Sequence, residues 1–76
     1  MSVNVLFFGV IAARLGEHKR AVAISEGMTL SDLLVTVGCN DFKPLVLAVN
    51  QTQVKDLNRK LSSGDEVAIM PPFSGG

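Results

Sequence analysis

Tryptophan and tyrosine are missing from this chain, cysteine and histidine occur once each, and the formal net charge is zero. The single thiol, Cys39, excludes an internal disulfide, a Cys-x-x-Cys redox or zinc site and a cluster held by four thiolates, and it fits a reducing, cytosolic setting. With seven Lys plus Arg set against seven Asp plus Glu and no run of cations, the chain lacks the basic patch that a nucleic acid or an anionic membrane requires. His18 stands in a charged stretch with no partner at relay spacing and reads as a surface residue. No serine lies in a Gly-x-Ser-x-Gly setting, no acidic cluster has metal-ligand spacing, and no glycine-rich phosphate loop occurs. Side-chain catalysis is therefore poorly supplied, and no bound metal or cofactor is expected.

Long apolar runs are also lacking. The longest candidate, Leu6 to Ala13, is too short to span a bilayer. It has no preceding cation and no clear cleavage site, so it does not read as a signal peptide. Asn50-Gln51-Thr52 matches a glycosylation sequon, but without a secretory signal it would not meet that machinery.

What is present is enough apolar residue to fill a core: 47% against 18% charged over 76 residues. A domain of this size buries only about 60% of its unfolded surface, so it must be compact. Val3, Val5 and Phe7 alternate with Asn4, Leu6 and Phe8, which predicts a first strand apolar on both faces. Val10 to Leu15 predicts two helical turns ended by Gly16, and Glu17 to Arg20 a charged turn. Ala21 to Ser25 predicts a second strand with Val22 and Ile24 inward. Thr29 with Asp32 three residues on is a capping-box variant, and Leu30, Leu33, Leu34 and Val37 follow at helical spacing up to Gly38. Cys39 to Pro44 reads as a loop. Leu45 to Val49 predicts a buried strand, Asn50-Gln51 a tight turn into a short strand carrying Val54, and Lys55 to Lys60 an irregular stretch tied down by Leu57 and Leu61. Ser62 to Asp65 is a second turn, and Glu66 to Met70 a last strand stopped by Pro71. The order implies an α+β fold, a mixed sheet with one main helix across one face and the first and last strands parallel at its centre, as in a β-grasp.

Residues 1–70 form that domain, and residues 71–76, Pro71-Pro72-Phe73-Ser74-Gly75-Gly76, form an extended tail. The prolines fix φ and remove backbone donors, so the strand cannot continue. Gly75 and Gly76 carry no Cβ and suit a narrow channel, which makes the Gly76 carboxylate the reactive group and Pro71, Pro72, Ser74 and Gly75 its means of access. Fully extended at about 3.3 Å per residue, the tail reaches roughly 20 Å. The plainer alternative is an incidental polar end of the kind common at chain termini. Phe8 and Met70 fall at the ends of the first and last strands on the parity opposite the core. With Phe73 nearby, they would make an apolar docking patch beside the tail, unless a helix or loop covers them.

Together, Val5-Leu6-Phe7-Phe8, Leu47-Ala48-Val49-Asn50-Gln51-Thr52 and the run from Leu61 through Gly64-Asp65-Glu66-Val67 to Pro71-Pro72-Phe73-Ser74-Gly75-Gly76 resemble the ubiquitin-like ThiS/MoaD family. The likeness is to its branch of small, sulfur-carrying subunits of molybdopterin synthase. It runs the length of the chain, which is short for the family between Gly38 and Pro44. The resemblance implies a β-grasp and a non-catalytic, cytoplasmic sulfur carrier. It also implies two partners, an E1-like, MoeB-like adenylating enzyme that uses ATP, and a large, MoaE-like synthase subunit. In that scheme Gly76 is adenylylated, converted to a thiocarboxylate and donates its sulfur to precursor Z. Phe8, Met70 and Phe73 would touch partners, and Gln53 stands where relatives can carry an apolar contact residue. Two alternatives remain: a ThiS-like carrier for thiazole synthesis or tRNA thiolation, and a β-grasp interaction module whose tail is incidental.

Overall fold

A computed structural model describes residues 1–41 and 45–72. The chain forms β1 (Ser2–Phe7), α1 (Gly9–Leu15), β2 (Lys19–Ala23), α2 (Leu30–Val37), β3 (Val46–Val49), β4 (Thr52–Val54) and β5 (Glu66–Met70). The strands make one mixed sheet in the order β2-β1-β5-β3-β4. β1 and β5 run parallel, with Val5 opposite Val67 and Phe7 opposite Ile69, while the remaining pairs are antiparallel. This is the β-grasp arrangement, and the parallel pair sits where the doubly apolar strands require cover on both edges.

Strand alternation sends one set of side chains to a common core. Val3, Val5, Phe7, Val22, Leu47, Val49, Val67 and Ile69 are buried there with Ile11 and Ala12 of α1 and Leu30, Leu33, Leu34 and Val37 of α2. The apolar stripe of α2 is what holds it on the sheet, because eight residues of helix are too few to be stable alone. Its start is the expected capping box: Thr29 Oγ1 accepts from the Asp32 amide at 3.2 Å, and the Asp32 carboxylate accepts from the Thr29 amide at 3.0 Å. Gly38 ends it at φ 80°, a left-handed conformation that glycine reaches without strain. Asn50 and Gln51 make the β3–β4 turn with φ of 51° and 70°. Two positive φ values in succession match the right-handed twist of a hairpin, and asparagine tolerates them best among residues with a side chain.

Three sequence expectations are corrected. The charged stretch from Glu17 to Arg20 is not all turn: β2 begins at Lys19 and ends at Ala23, two residues before the predicted Ser25. An edge strand with one open side can carry charge, so Lys19 pairs with Leu6 and Arg20 with Val5 at no burial cost. Arg20 leans over the Phe7 ring, 5.7 Å from its centroid, and pairs with Glu17. Leu57 does not tie the 55–60 stretch to the core, being 45% exposed. That work falls to Leu61, which is buried, and to backbone bonds from Leu30 to Arg59 and from Ser31 to Leu57. Leu45 lies outside β3, packed against the core only in part.

A buried carboxylate joins the two turns at one end of the sheet. Asp65 accepts from the Ser62 amide at 2.8 Å and from Asn50 Nδ2 at 3.0 Å, and Asn50 Oδ1 accepts from the Glu66 amide at 3.0 Å. The Gly-Asp-Glu sequence before β5 is thus a clamp that sets where the last strand starts, and so where it ends.

Candidate functional site

β5 is the middle strand of five, so the chain beyond it leaves from the midline of the sheet. Pro71 is half-buried and Pro72 exposed. The Pro71 ring lies against Gly9: a Cβ on Gly9 would stand 3.0 Å from Pro71 Cγ. Gly9 itself has φ +57°, which turns the chain from β1 into α1 and opens the space the ring occupies. The exit of the tail is therefore seated on the β1–α1 corner. The roles expected of Phe73, Ser74, Gly75 and Gly76 fall on positions outside the described residues.

The face of the sheet turned away from the helices carries an apolar band leading to that exit. Register places Leu6 beside Ala68 and Ala68 beside Ala48, and in the next row Met70 beside Val46. All five are half-buried. Phe8 extends the second row. Its amide donates to the Ile69 carbonyl at 3.2 Å, and its extended backbone, φ −126° and ψ 154°, continues the alternation of β1 for one residue. Phe8 is the residue before α1, with no capping hydrogen bond of its own and 44% of its surface exposed. Among the described residues neither helix lies over this band, so Phe8 and Met70 sit on an open face. Gln53 joins the first row opposite Ala48 on the edge strand and is exposed.

Parity alone could have found the rest of the band. Counting against Val3, Val5 and Phe7 puts Leu6 outward, and counting against Val67 and Ile69 does the same for Ala68. Val46 and Ala48 were hidden because Leu45 to Val49 is apolar throughout, which reads as burial on both faces.

A concavity lies elsewhere among the described residues. A cavity of about 510 Å³ opens beside the β4 edge between Leu34, Cys39, Leu45, Val54 and Leu57. It does not include the exit of the tail. Cys39 on its wall is fully buried, and burial, with Asp41 adding to it, raises the thiol pKa above its ordinary value. A protonated, buried thiol is a poor nucleophile, so Cys39 serves packing. Arg14 and Asp41 pair at 2.9 Å near it, which holds the Asp41 carboxyl below the usual carboxylate range. His18 is exposed. No group of His, Cys, Asp and Glu among the described residues could hold a metal ion, and no helix among them is long and apolar enough to cross a membrane.

Known proteins resemble this chain in sequence and in fold. The chain is 32% identical over 83 aligned residues to the molybdopterin synthase sulfur carrier subunit of Chlamydomonas reinhardtii, the match covering all of both chains. It is also 32% identical over 83 residues to the protein so named in Drosophila yakuba, covering all of this chain and 92% of that one. The crystal structure of SAMP1 from Haloferax volcanii superposes with a TM-score of 0.83 at 24% identity over the whole of both chains, a likeness of fold. Subunits 1 and 2 of the molybdopterin-converting factor of Helicobacter pylori have been solved as a complex, and a chain of it matches with a TM-score of 0.70 and 25% identity, again over both whole chains. The ThiS family model matches residues 5–76. By that match and by the full-length likeness to the curated relatives, the chain belongs to the ThiS family.

Proposed function

We propose that this protein is the sulfur carrier of a molybdopterin synthase, with the Gly76 carboxyl as the carrying group. The observation that carries the reading is where Pro71 and Pro72 lead. In a family whose relatives are named sulfur carrier subunits, these two residues carry the chain off the sheet at its midline, beside an open apolar band.

The chemistry follows from the carboxylate. Ionised at neutral pH, it repels nucleophiles and has no good leaving group. An E1-like adenylating enzyme overcomes this by joining the Gly76 carboxylate to AMP from ATP, releasing pyrophosphate. A donor of sulfide-level sulfur then forms a C–S bond at the carbonyl as the C–O bond to AMP breaks, leaving a thiocarboxylate. The large synthase subunit receives the tail and passes the sulfur to precursor Z, and water returns the oxygen that restores the carboxylate. This chain binds no ATP in that cycle and contributes no acid or base. Its fold supplies the reach and the docking band of Leu6, Phe8, Val46, Ala48, Ala68 and Met70, with Phe73 and Gln53 at its margins. The existence of a solved complex between subunits 1 and 2 of a related converting factor supports a large-subunit partner.

Reconstitution tests it. With the adenylating enzyme, ATP, a sulfur donor and the large subunit, the chain should convert precursor Z, and deleting Gly76 or adding one residue after it should abolish conversion while thermal melting stays unchanged. Conversion by either variant would refute the reading. The family match also favours a second assignment, a ThiS-type carrier for thiazole synthesis. A deletion strain separates the two, losing molybdoenzyme activity in the first case and requiring thiazole in the second.

A further inference from the structure

Gly9 is held on both sides. Before it, the Phe8 amide donates to the Ile69 carbonyl at 3.2 Å, and the Phe8 carbonyl accepts from the Ile11 and Ala12 amides at 3.2 and 3.4 Å. After it, Ile11 and Ala12 are buried in the core and fix α1 in place. The corner therefore cannot draw back from what lies over it, which is the Pro71 ring. A Cβ built on Gly9 would stand 3.0 Å from Pro71 Cγ and 3.4 Å from Cδ. Among the described residues these two ring atoms are all that it would meet within 4 Å beyond its chain neighbours and the α1 backbone. Carbon atoms pack best at about 3.5–4.0 Å, so with the corner held any side chain at position 9 displaces the ring.

Positive φ alone would account for glycine here, as it does at Gly16, whose φ is +73° and whose Cβ would meet nothing within 4 Å. The two glycines bracket α1 and differ in the ring. Pro71 in turn has little freedom of its own. The sheet holds the chain up to Met70, opposite Val46. The φ of Pro71 is fixed by its ring, and Met70 and Pro71 each precede a proline, which pushes both toward extended backbone. A direction taken at Pro71 is thus carried on into Pro72. Gly76 is five residues beyond Pro71, roughly 17 Å at full extension, so where the chain sets out limits where its last carboxyl can be delivered.

We infer that Gly9 and Pro71 are positioning residues for sulfur transfer: the bare backbone at Gly9 is a seat for the Pro71 ring, and the seated ring aims the chain that delivers the Gly76 carboxyl to the reacting atoms. This rests on the carrier reading above and gives the β1–α1 corner a share in the rate of transfer, not in the affinity for the partner. Rates respond steeply to such placement, a displacement of about 1 Å costing up to about 100-fold.

The experiment uses the full chain, the purified large synthase subunit of the same organism and precursor Z. Each variant is prepared as the Gly76 thiocarboxylate by sulfide cleavage of an intein fusion, which bypasses activation. Transfer is followed in a single turnover at saturating large subunit, and affinity is measured separately by calorimetry. Gly9→Ala should slow transfer about tenfold or more while affinity changes by less than about threefold. Gly16→Ala introduces a side chain at positive φ without the ring contact, and should transfer at nearly the unaltered rate. Pro71→Ala removes Cγ and Cδ, adds no strain at the corner, and should slow transfer about threefold to tenfold with melting nearly unchanged. In that background Gly9→Ala should add less than about a twofold loss, because the atoms it collides with are gone. A residue that served stability alone would show no such coupling. Four results would each overturn the assignment: Gly16→Ala slowing transfer as much as Gly9→Ala, equal losses from Gly9→Ala with and without the Pro71 ring, affinity losses as large as the rate losses, or full-rate transfer by Pro71→Ala. Should Gly9→Ala fail to fold, the Pro71→Ala arm decides. Transfer by the unaltered chain with insensitive variants overturns only the role of the corner, whereas an unaltered thiocarboxylate that transfers no sulfur overturns the carrier reading and this role with it.

Discussion

Phe7 and Phe8 are adjacent in sequence and opposite in placement, so truncating each in turn separates folding from docking. Phe7 is fully buried in the core that also holds residues of both helices, and Phe7→Ala should cost about 3–5 kcal/mol through lost transfer energy and the cavity left behind. A chain of this length holds only about 4–11 kcal/mol of total stability at ordinary values per residue, so that variant should be largely or partly unfolded at 37 °C. Phe8 keeps 44% of its surface exposed. Burying a whole phenylalanine is worth at most about 3 kcal/mol, which leaves about 1–1.5 kcal/mol for Phe8→Ala. At about 4–8 °C per kcal/mol, melting should fall by roughly 5–10 °C. Phe8→Asp should lose less, because the residue precedes α1 without a capping bond and aspartate supplies one worth about 1 kcal/mol. Binding should show the reverse order. Titration calorimetry against the large synthase subunit should find Phe8→Asp weakened by about 30-fold or more, the size expected for an aromatic anchor worth at least 2 kcal/mol. Equal melting losses for Phe7→Ala and Phe8→Ala would show that Phe8 is core, and undiminished binding of Phe8→Asp would show that the open face is not where the partner sits.

Asp65→Ala should destabilise the domain by about 2–3 kcal/mol in urea titrations, because it strands the Ser62 amide and Asn50 Nδ2, and a double-mutant cycle with Asn50→Ala should show coupling of at least about 0.5 kcal/mol. Cys39 should resist thiol reagents at neutral pH and react fully once urea unfolds the chain. Its folded pKa lies above the unfolded value, so the folded state binds more protons between the two. The thiol's contribution is complete below the unfolded pKa near 8.5 and should decline as pH rises beyond it, a loss that Cys39→Ser should remove. A native-state reaction at neutral pH as fast as that of a free peptide thiol would contradict the placement of Cys39.

Most of the fold was legible because local signals agreed with the global arrangement. Thr29, Asp32 and Gly38 bound α2, its four leucine and valine anchors share one face, and the doubly apolar β1 and β5 meet at the centre as their composition required. The start of β2 was hidden because Lys19 and Arg20 carry turn-like polarity, and only the pairing with β1 makes a strand of them. Leu57 misled for the opposite reason: its polarity suits the core, but hydrogen bonds of its own backbone, not its side chain, anchor that stretch. The site was legible in part. The parity of Phe8 and Met70 followed from alternation, while the full width of the band depends on strand order and register, which a sequence encodes only through long-range contacts.

The intact mass of the chain after incubation with the adenylating enzyme, ATP and a sulfur donor is the most direct test of Gly76 as the carrying group. It should rise by the difference between one sulfur and one oxygen atom, and fragmentation should place the change at Gly76, with none in a chain lacking that residue. An unchanged mass, or sulfur found on Cys39 instead, would contradict it.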